Sequence, residues 1–193
     1  MNTREKFIAT AERLADQRGP RGFGLDAVLS EVGVSKTTFY KYFDSKDELS
    51  AEVVNQCTEQ LINEIREEFA QRFGNEPRDC LCNILPIWLR KIREKHWNGC
   101  LFSKFCHAYP DDQEALFAMA RVFPRTVRST IEEFAARLNA ENADQLARQI
   151  TIVLQGAATF GFMFNGEEHD QRFEADAQAL IEQLVMMAGK ANG

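Results

Sequence analysis

Residues 34–49 read Val34-Ser35-Lys36-Thr37-Thr38-Phe39-Tyr40-Lys41-Tyr42-Phe43-Asp44-Ser45-Lys46-Asp47-Glu48-Leu49. Phe39 and Phe43 are four apart, one helical turn, while Thr37, Thr38 and Lys41 fall on the opposite arc. The spacing predicts a short helix over about 36–42 with an aromatic inner face, a polar outer face and Ser35 as N-cap. Ser45-Lys46-Asp47-Glu48 then reads as a capping box, Ser45 at N-cap and Glu48 at N3, opening a long helix to about Phe73. Gly74-Asn75-Glu76-Pro77 closes that helix. Upstream, a helix over about 25–32 is expected to bury Leu25, Val28 and Leu29, and Gly33 frees the backbone for a tight turn. The first helix carries Phe7, Ile8, Ala11, Leu14 and Ala15 on one stripe and stops at Gly19-Pro20 and Gly22.

Further along, apolar residues keep recurring three or four apart, and no β-branched run alternates with polar residues over a strand's length. Helices are expected at about 77–95, 111–138, 143–164 and 173–188, with an irregular or short helical stretch near 100–108. The helix at 111–138 starts at Asp111 with Glu114 and is expected to kink at Pro124. The chain therefore reads as all-α.

Composition agrees with a folded domain protein. The 193 residues are 45% hydrophobic and 27% charged, with 23 Lys+Arg against 29 Asp+Glu and a net charge of -6. That length can bury a real core, which argues against disorder and against a disulfide-dependent miniprotein. The longest nearly uncharged stretch, residues 150–165, is too short and too polar to span a bilayer. The first residues mix acids with bases and hold no apolar block, so no secretory signal is read and a cytoplasmic location is expected. Cys57, Cys80, Cys82, Cys100 and Cys106, odd in number and irregular in spacing, read as thiols in a reducing compartment.

Two short helices joined by Glu31-Val32-Gly33-Val34-Ser35 make a helix-turn-helix, whose second helix enters the major groove of DNA. Between Lys36 and Lys46 stand three lysines and one acid, Asp44, so the presenting edge is basic although residues 1–52 hold 8 bases and 9 acids. Thr37, Thr38 and Lys41 suit base edges, and Lys36, Tyr40 and Tyr42 suit phosphates or sugars. Lys46 stands beside the free N–H groups and positive dipole end of the fourth helix.

At these residues the sequence resembles the DNA-binding signature of TetR-family (TetR/AcrR-type) transcriptional regulators. The resemblance covers about residues 3–52. The remaining three quarters agrees in length and helical pattern alone. It implies an N-terminal three-helix helix-turn-helix DNA-binding domain at residues 1–52, joined to a larger helical effector-binding and dimerisation domain at 53–193. It implies a homodimeric repressor that leaves a palindromic operator when a small molecule binds the second domain. Residue by residue it assigns phosphate or base contact to Ser35, Lys36, Thr37, Thr38, Tyr40, Lys41 and Lys46, and core packing to Phe39 and Phe43; Tyr42 fits either task. The family often has a small residue where Thr37 stands, His where Lys41 stands, and Thr where Gly24 caps the second helix. The operator is therefore open, and the Gly24 cap is weaker than its Thr counterpart by roughly a few tenths of a kcal/mol.

In the second domain, both tryptophans and eleven of fifteen phenylalanines lie beyond residue 52. Trp88, Trp97, Phe102, Phe105, Phe117, Phe123 and Phe160 are candidate ligand-binding residues for an apolar or aromatic effector, with His107 and Gln155, and also Ser103 or Tyr109, as polar handles. Each of these, taken singly, also fits ordinary core packing. Gly156-Ala157-Ala158 and Gly161 put small residues on one helix, as a dimer seam or a close intrachain crossing would use them. The family pairs its last two long helices with those of a partner, here about 143–164 and 173–188, with Leu180, Ile181, Leu184, Val185 and Met187 on the second. Cys100, with Lys104 one turn on, is a redox candidate, and this gives an alternative reading as a thiol-based repressor sensing oxidants or electrophiles. A helical interaction protein whose helix-turn-helix is purely architectural is a further alternative. Cys100, Cys106, His96 and His107 match no usual zinc spacing, so no metal is expected. No cofactor and no catalytic residue is expected, because nucleophile-elbow and phosphate-loop patterns are missing from the sequence.

Overall fold

The computed structural model describes residues 1–19, 24–94, 122–164 and 168–190, and at 161–164, 168–170 and 190 the backbone alone. Every regular element among the described residues is a helix: α1 (Thr3–Arg18), α2 (Leu25–Val32), α3 (Lys36–Phe39), α4 (Lys46–Phe73), α5 (Pro77–Cys82), α6 (Ile84–Glu94), α7 (Val122–Arg137), α8 (Ala143–Phe164) and α9 (Glu168–Lys190). These residues gather into two compact units. One holds residues 1–59 with 122 and 123, the other residues 60–94 and 124–190.

In the first unit, Asn2 caps α1 through a full capping box. Asn2 Oδ1 accepts from the Glu5 amide at 2.9 Å, and Glu5 Oε2 accepts from the Asn2 amide at 2.8 Å. The predicted stripe of Phe7, Ile8, Ala11, Leu14 and Ala15 is buried, as are Val28 and Leu29, while Leu25 is half-buried. Gly33 has φ 76 and ψ 38, the left-handed conformation that a side chain resists, and its N–H donates to the Leu29 carbonyl. The α-helical part of the predicted 36–42 segment ends at Phe39. Beyond it the amides of Lys41 and Tyr42 donate three residues back, to Thr38 and Phe39, which tightens the turn as helix ends commonly do. Phe7, Phe39 and Phe43 form the centre. Phe7 meets Phe39 edge-on at 5.3 Å and Phe43 at 6.0 Å, and Phe39 stacks on Phe43 at 5.5 Å.

α4 opens as the capping box predicts on one side: Ser45 Oγ accepts from the Glu48 amide at 3.0 Å. On the other side Glu48 Oε2 takes the N–H of Asp44, one residue earlier, at 2.5 Å. Gly74 (φ 57) and Asn75 (φ 60) end the helix in left-handed conformations. The Asn75 carbonyl accepts from Arg137 Nη2 at 2.7 Å.

The second unit departs from the expected single helix over 77–95, which breaks at Asn83 into α5 and α6. Pro86 explains the break, because it has no N–H to offer the carbonyl of residue 82 and its ring crowds that carbonyl in a continuous helix. The Cys82 carbonyl accepts instead from Gln178 Nε2 of α9 at 2.7 Å. α8 packs along α9, and both meet α6. Leu81, Ile84, Trp88, Ile131, Phe134, Ile150, Leu154, Ile181 and Val185 are buried in this core. α7 is described from Val122 onward and includes Pro124; residues 111–121 of the expected longer helix lie outside the described residues. α8 matches its expected span, while α9 is longer than 173–188 at both ends.

Candidate nucleic-acid interface

The turn at Gly33 and the buried pair Phe39 and Phe43 orient α3. With the inner face held by these rings, its other residues point outward. Ser35, Lys36, Thr37 and Lys41 are exposed, Thr38 and Lys46 half-buried. Tyr40 is 54% and Tyr42 41% exposed, so both present ring surface and hydroxyl to solvent. Each ring is nevertheless anchored, Tyr40 edge-on to Phe39 at 5.3 Å and Tyr42 tilted against Phe7 at 6.1 Å.

The hydrogen bonds separate the two threonines that the sequence placed on one arc. Ser35 Oγ accepts from the Thr38 amide at 3.3 Å and lies 3.1 Å from Thr38 Oγ1, so the Thr38 hydroxyl takes part in capping α3. Lys36 Nζ lies 3.4 Å from Asp26 Oδ1 in the first turn of α2. Burial holds the Lys46 ammonium below the usual lysine value, partly offset by the charge of Asp47. Arg4, which the sequence reading passed over, lies with its guanidinium 5.4 Å over the Phe43 ring and 3.0 Å from Glu52. It ties α1 to the start of α4, and no local spacing announces a pair so far apart in the chain.

The candidate effector residues fare differently. Trp88 is buried on α6 and Gln155 is half-buried on α8. Phe160 is 41% exposed and its ring lies tilted against Phe173 of α9, centroids 4.8 Å apart. Phe123 is buried and gathers with the first unit. Trp97, Phe102, Phe105, His107 and Phe117 lie outside the described residues, as do Ser103, Tyr109, His96, Cys100 and Cys106. The second unit does hold a cavity of about 330 Å³, lined by Glu64, Glu67, Glu68, Gln71, Arg72, Arg90 and Lys91. Its walls are ion pairs rather than rings. Burial pushes Glu68 up, but hydrogen bonds from Arg72 and Arg90 outweigh it and leave the carboxyl below its usual range.

Cys57 and Cys80 are buried and Cys82 is half-buried, all as thiols rather than disulfides. Burial pushes the Cys80 thiol up to about 11 and raises that of Cys82, the opposite of an activated thiolate. Among the described residues, no group of three or more His, Cys, Asp or Glu is placed to hold a metal ion. No described helix is long and apolar enough to cross a membrane.

Residues 7–53 match the family model for bacterial regulatory proteins of the tetR family. The chain is 26% identical over 182 residues to an uncharacterized HTH-type transcriptional regulator of Mycobacterium tuberculosis, covering 94% of this chain and 83% of that one. It is 48% identical over 46 residues to the HTH-type transcriptional repressor NemR of Escherichia coli, covering 24% of this chain and 23% of NemR. Its fold resembles the crystal structure of a TetR-family transcriptional regulator from Streptomyces coelicolor, with a TM-score of 0.81 at 18% identity over 97% of this chain and 96% of that one. It also resembles the reduced form of E. coli NemR, with a TM-score of 0.77 at 21% identity over 95% and 97% of the two chains. The signature lies in the buried rings, the Gly33 turn and the polar outer face of α3, and residues 7–53 are a DNA-binding domain of the tetR-family type.

Proposed function

We propose that the protein is a homodimeric repressor that holds a palindromic operator through residues 1–52 and releases it when residues 53–193 take up a small apolar or aromatic effector. The outer face of α3 carries this reading. Exposed Thr37, Tyr40, Lys41 and Tyr42 stand over a ring-packed base, the arrangement that a groove-reading helix requires. Thr37, Thr38 and Lys41 face base edges, and Ser35, Lys36, Tyr40, Tyr42 and Lys46 face the phosphate backbone on either side.

The twofold mate packs against α8 and α9. Ile152 and Phe160 on α8 and Leu180, Met186 and Met187 on α9 are exposed large apolar residues. Among the described residues, nothing lies within 4 Å of where a Cβ on Gly156, on the same helix as Ile152, would go. Of the two uses of this glycine, the space favours approach by a partner backbone, a contact that offsets a residue costing about 1 kcal/mol against Ala. Effector binding draws on Trp88 and Gln155 together with Trp97, Phe102, Phe105, His107 and Phe117. It acts by changing the separation of two recognition helices, which must stand about 34–36 Å apart to enter successive major grooves. A tenfold preference of effector for the mis-spaced state corresponds to a coupling energy of about 1.4 kcal/mol, and operator DNA weakens effector binding by the same factor.

Selecting bound fragments from a random DNA pool with the purified protein tests the reading; recovery of a two-half-site consensus supports it, and no enrichment sinks it. On that consensus, Lys46→Ala is expected to weaken binding to every sequence and lower the salt slope by about one, whereas Thr38→Ala shifts base preference. Uniform losses from both variants would remove the division of roles.

The resemblance to a structure of reduced NemR supports a second reading, in which Cys100 oxidation releases DNA. Burial raises the Cys80 and Cys82 thiols, which argues against either of them as the switch. Release by peroxide that survives in Cys100→Ser would rule this reading out.

A further inference from the structure

Asp26 stands in the first turn of α2 with its side chain 87% exposed, and its carboxylate reaches 3.4 Å from Lys36 Nζ at the first position of α3. An acid beside a proposed phosphate contact works against DNA binding, since it repels the backbone and occupies the very cation that would meet it. Helix support accounts for an acid at this place but not for the pairing, because a carboxylate stabilises a helix N-terminus without any lysine partner. Both side chains are largely solvent-exposed, so the pair is weak and exchangeable. The domain also has no charge surplus to spare: residues 1–52 hold 8 bases and 9 acids, so each local lysine carries a large share of any attraction to DNA.

We propose that Asp26 is a specificity-determining residue that holds Lys36 away from loosely docked phosphates and yields it only where the operator fixes a phosphate within its reach. Non-specific complexes are nearly all electrostatic and their phosphates are not held in register, so Asp26 competes with them for Lys36 more effectively than with a fixed phosphate. In the operator complex the base contacts of α3 lock the docking, and a stationary phosphate competes with Asp26 for the ammonium. Asp26 thus lowers background binding more than operator binding, and the ratio between them rises. The inference rests on the DNA-contact reading of Lys36.

The test compares wild type, Asp26→Asn and Asp26→Glu on two labelled duplexes, a random-sequence one and the fragment selected by the wild-type protein, across a salt series. Asp26→Asn is expected to bind the random duplex several-fold tighter, with a salt slope steeper by about one. It gains less on the selected fragment, and Asp26→Glu behaves as wild type. In a Lys36→Met background the same Asp26→Asn change is expected to have no effect on the random duplex. An unchanged affinity for random DNA, an equal gain on both duplexes, or a gain that persists with Lys36→Met overturns the proposal. Asn is well accepted near a helix start, and Asp26→Ser serves as a second neutral variant if the first does not fold. Failure of the wild-type protein to bind either duplex is a different result, and it refutes the DNA-contact reading itself.

Discussion

Lys46, at the first position of α4, is half-buried, and loss of hydration holds its ammonium below the ordinary lysine value of 10.5. A phosphate at the same place favours the charged form, so DNA binding and protonation of Lys46 are linked. The sign is fixed by that linkage. Affinity is full below the lowered value and falls as pH rises through it, earlier than an exposed lysine would require. Lys46→Arg keeps its charge throughout, and its operator affinity is expected to stay flat across that alkaline window in anisotropy titrations. An identical pH profile in the two proteins would show that Lys46 does not meet the phosphate. For stability the sign is opposite, because burying the ammonium costs free energy that is relieved as pH climbs from the folded value toward 10.5. Thr37 and Thr38 make a complementary point: equivalent in the pattern, they are separated by the Ser35 hydroxyl, which engages one and leaves the other exposed.

Among the elements, the α5–α6 junction shows how a proline deep in a helical pattern is accommodated. Its missing N–H leaves the Cys82 carbonyl to Gln178, a residue on α9. Gln178→Leu, which removes the donor and keeps the bulk, is expected to cost about 1 kcal/mol in urea unfolding. In a Pro86→Ala background the penalty should shrink, because the backbone N–H restored by that substitution can then reach the same carbonyl. Equal penalties in both backgrounds would mean that the carbonyl finds water instead. The periodicity of residues 77–95 reads as one helix because apolar positions keep their phase across Asn83; the break is a matter of one hydrogen bond and is invisible to spacing.

At the scale of the whole molecule, exposed apolar side chains lie on α8 and α9, the two helices proposed to meet a partner. Leu180→Glu with Met187→Glu is expected to give a folded monomer by sedimentation, with unchanged helicity and operator affinity reduced at least tenfold, since a single half-site cannot hold the protein as a pair does. A dimer that survives both charges would place the seam elsewhere. The all-α class, the turn at Gly33 and the Phe39–Phe43 anchors were legible from residue order alone, because caps, left-handed turns and 3.6-residue stripes are set by neighbours within about one helical turn. The pairing of Asp26 with Lys36, the Arg4 tie to Phe43 and Glu52, and the Cys82–Gln178 bond were decided only when the chain folded. So was the space that the described residues leave beside Gly156. Each joins residues ten or more positions apart or depends on what packs around a residue, and the local pattern that makes a helix and marks its buried face does not encode which distant residues meet.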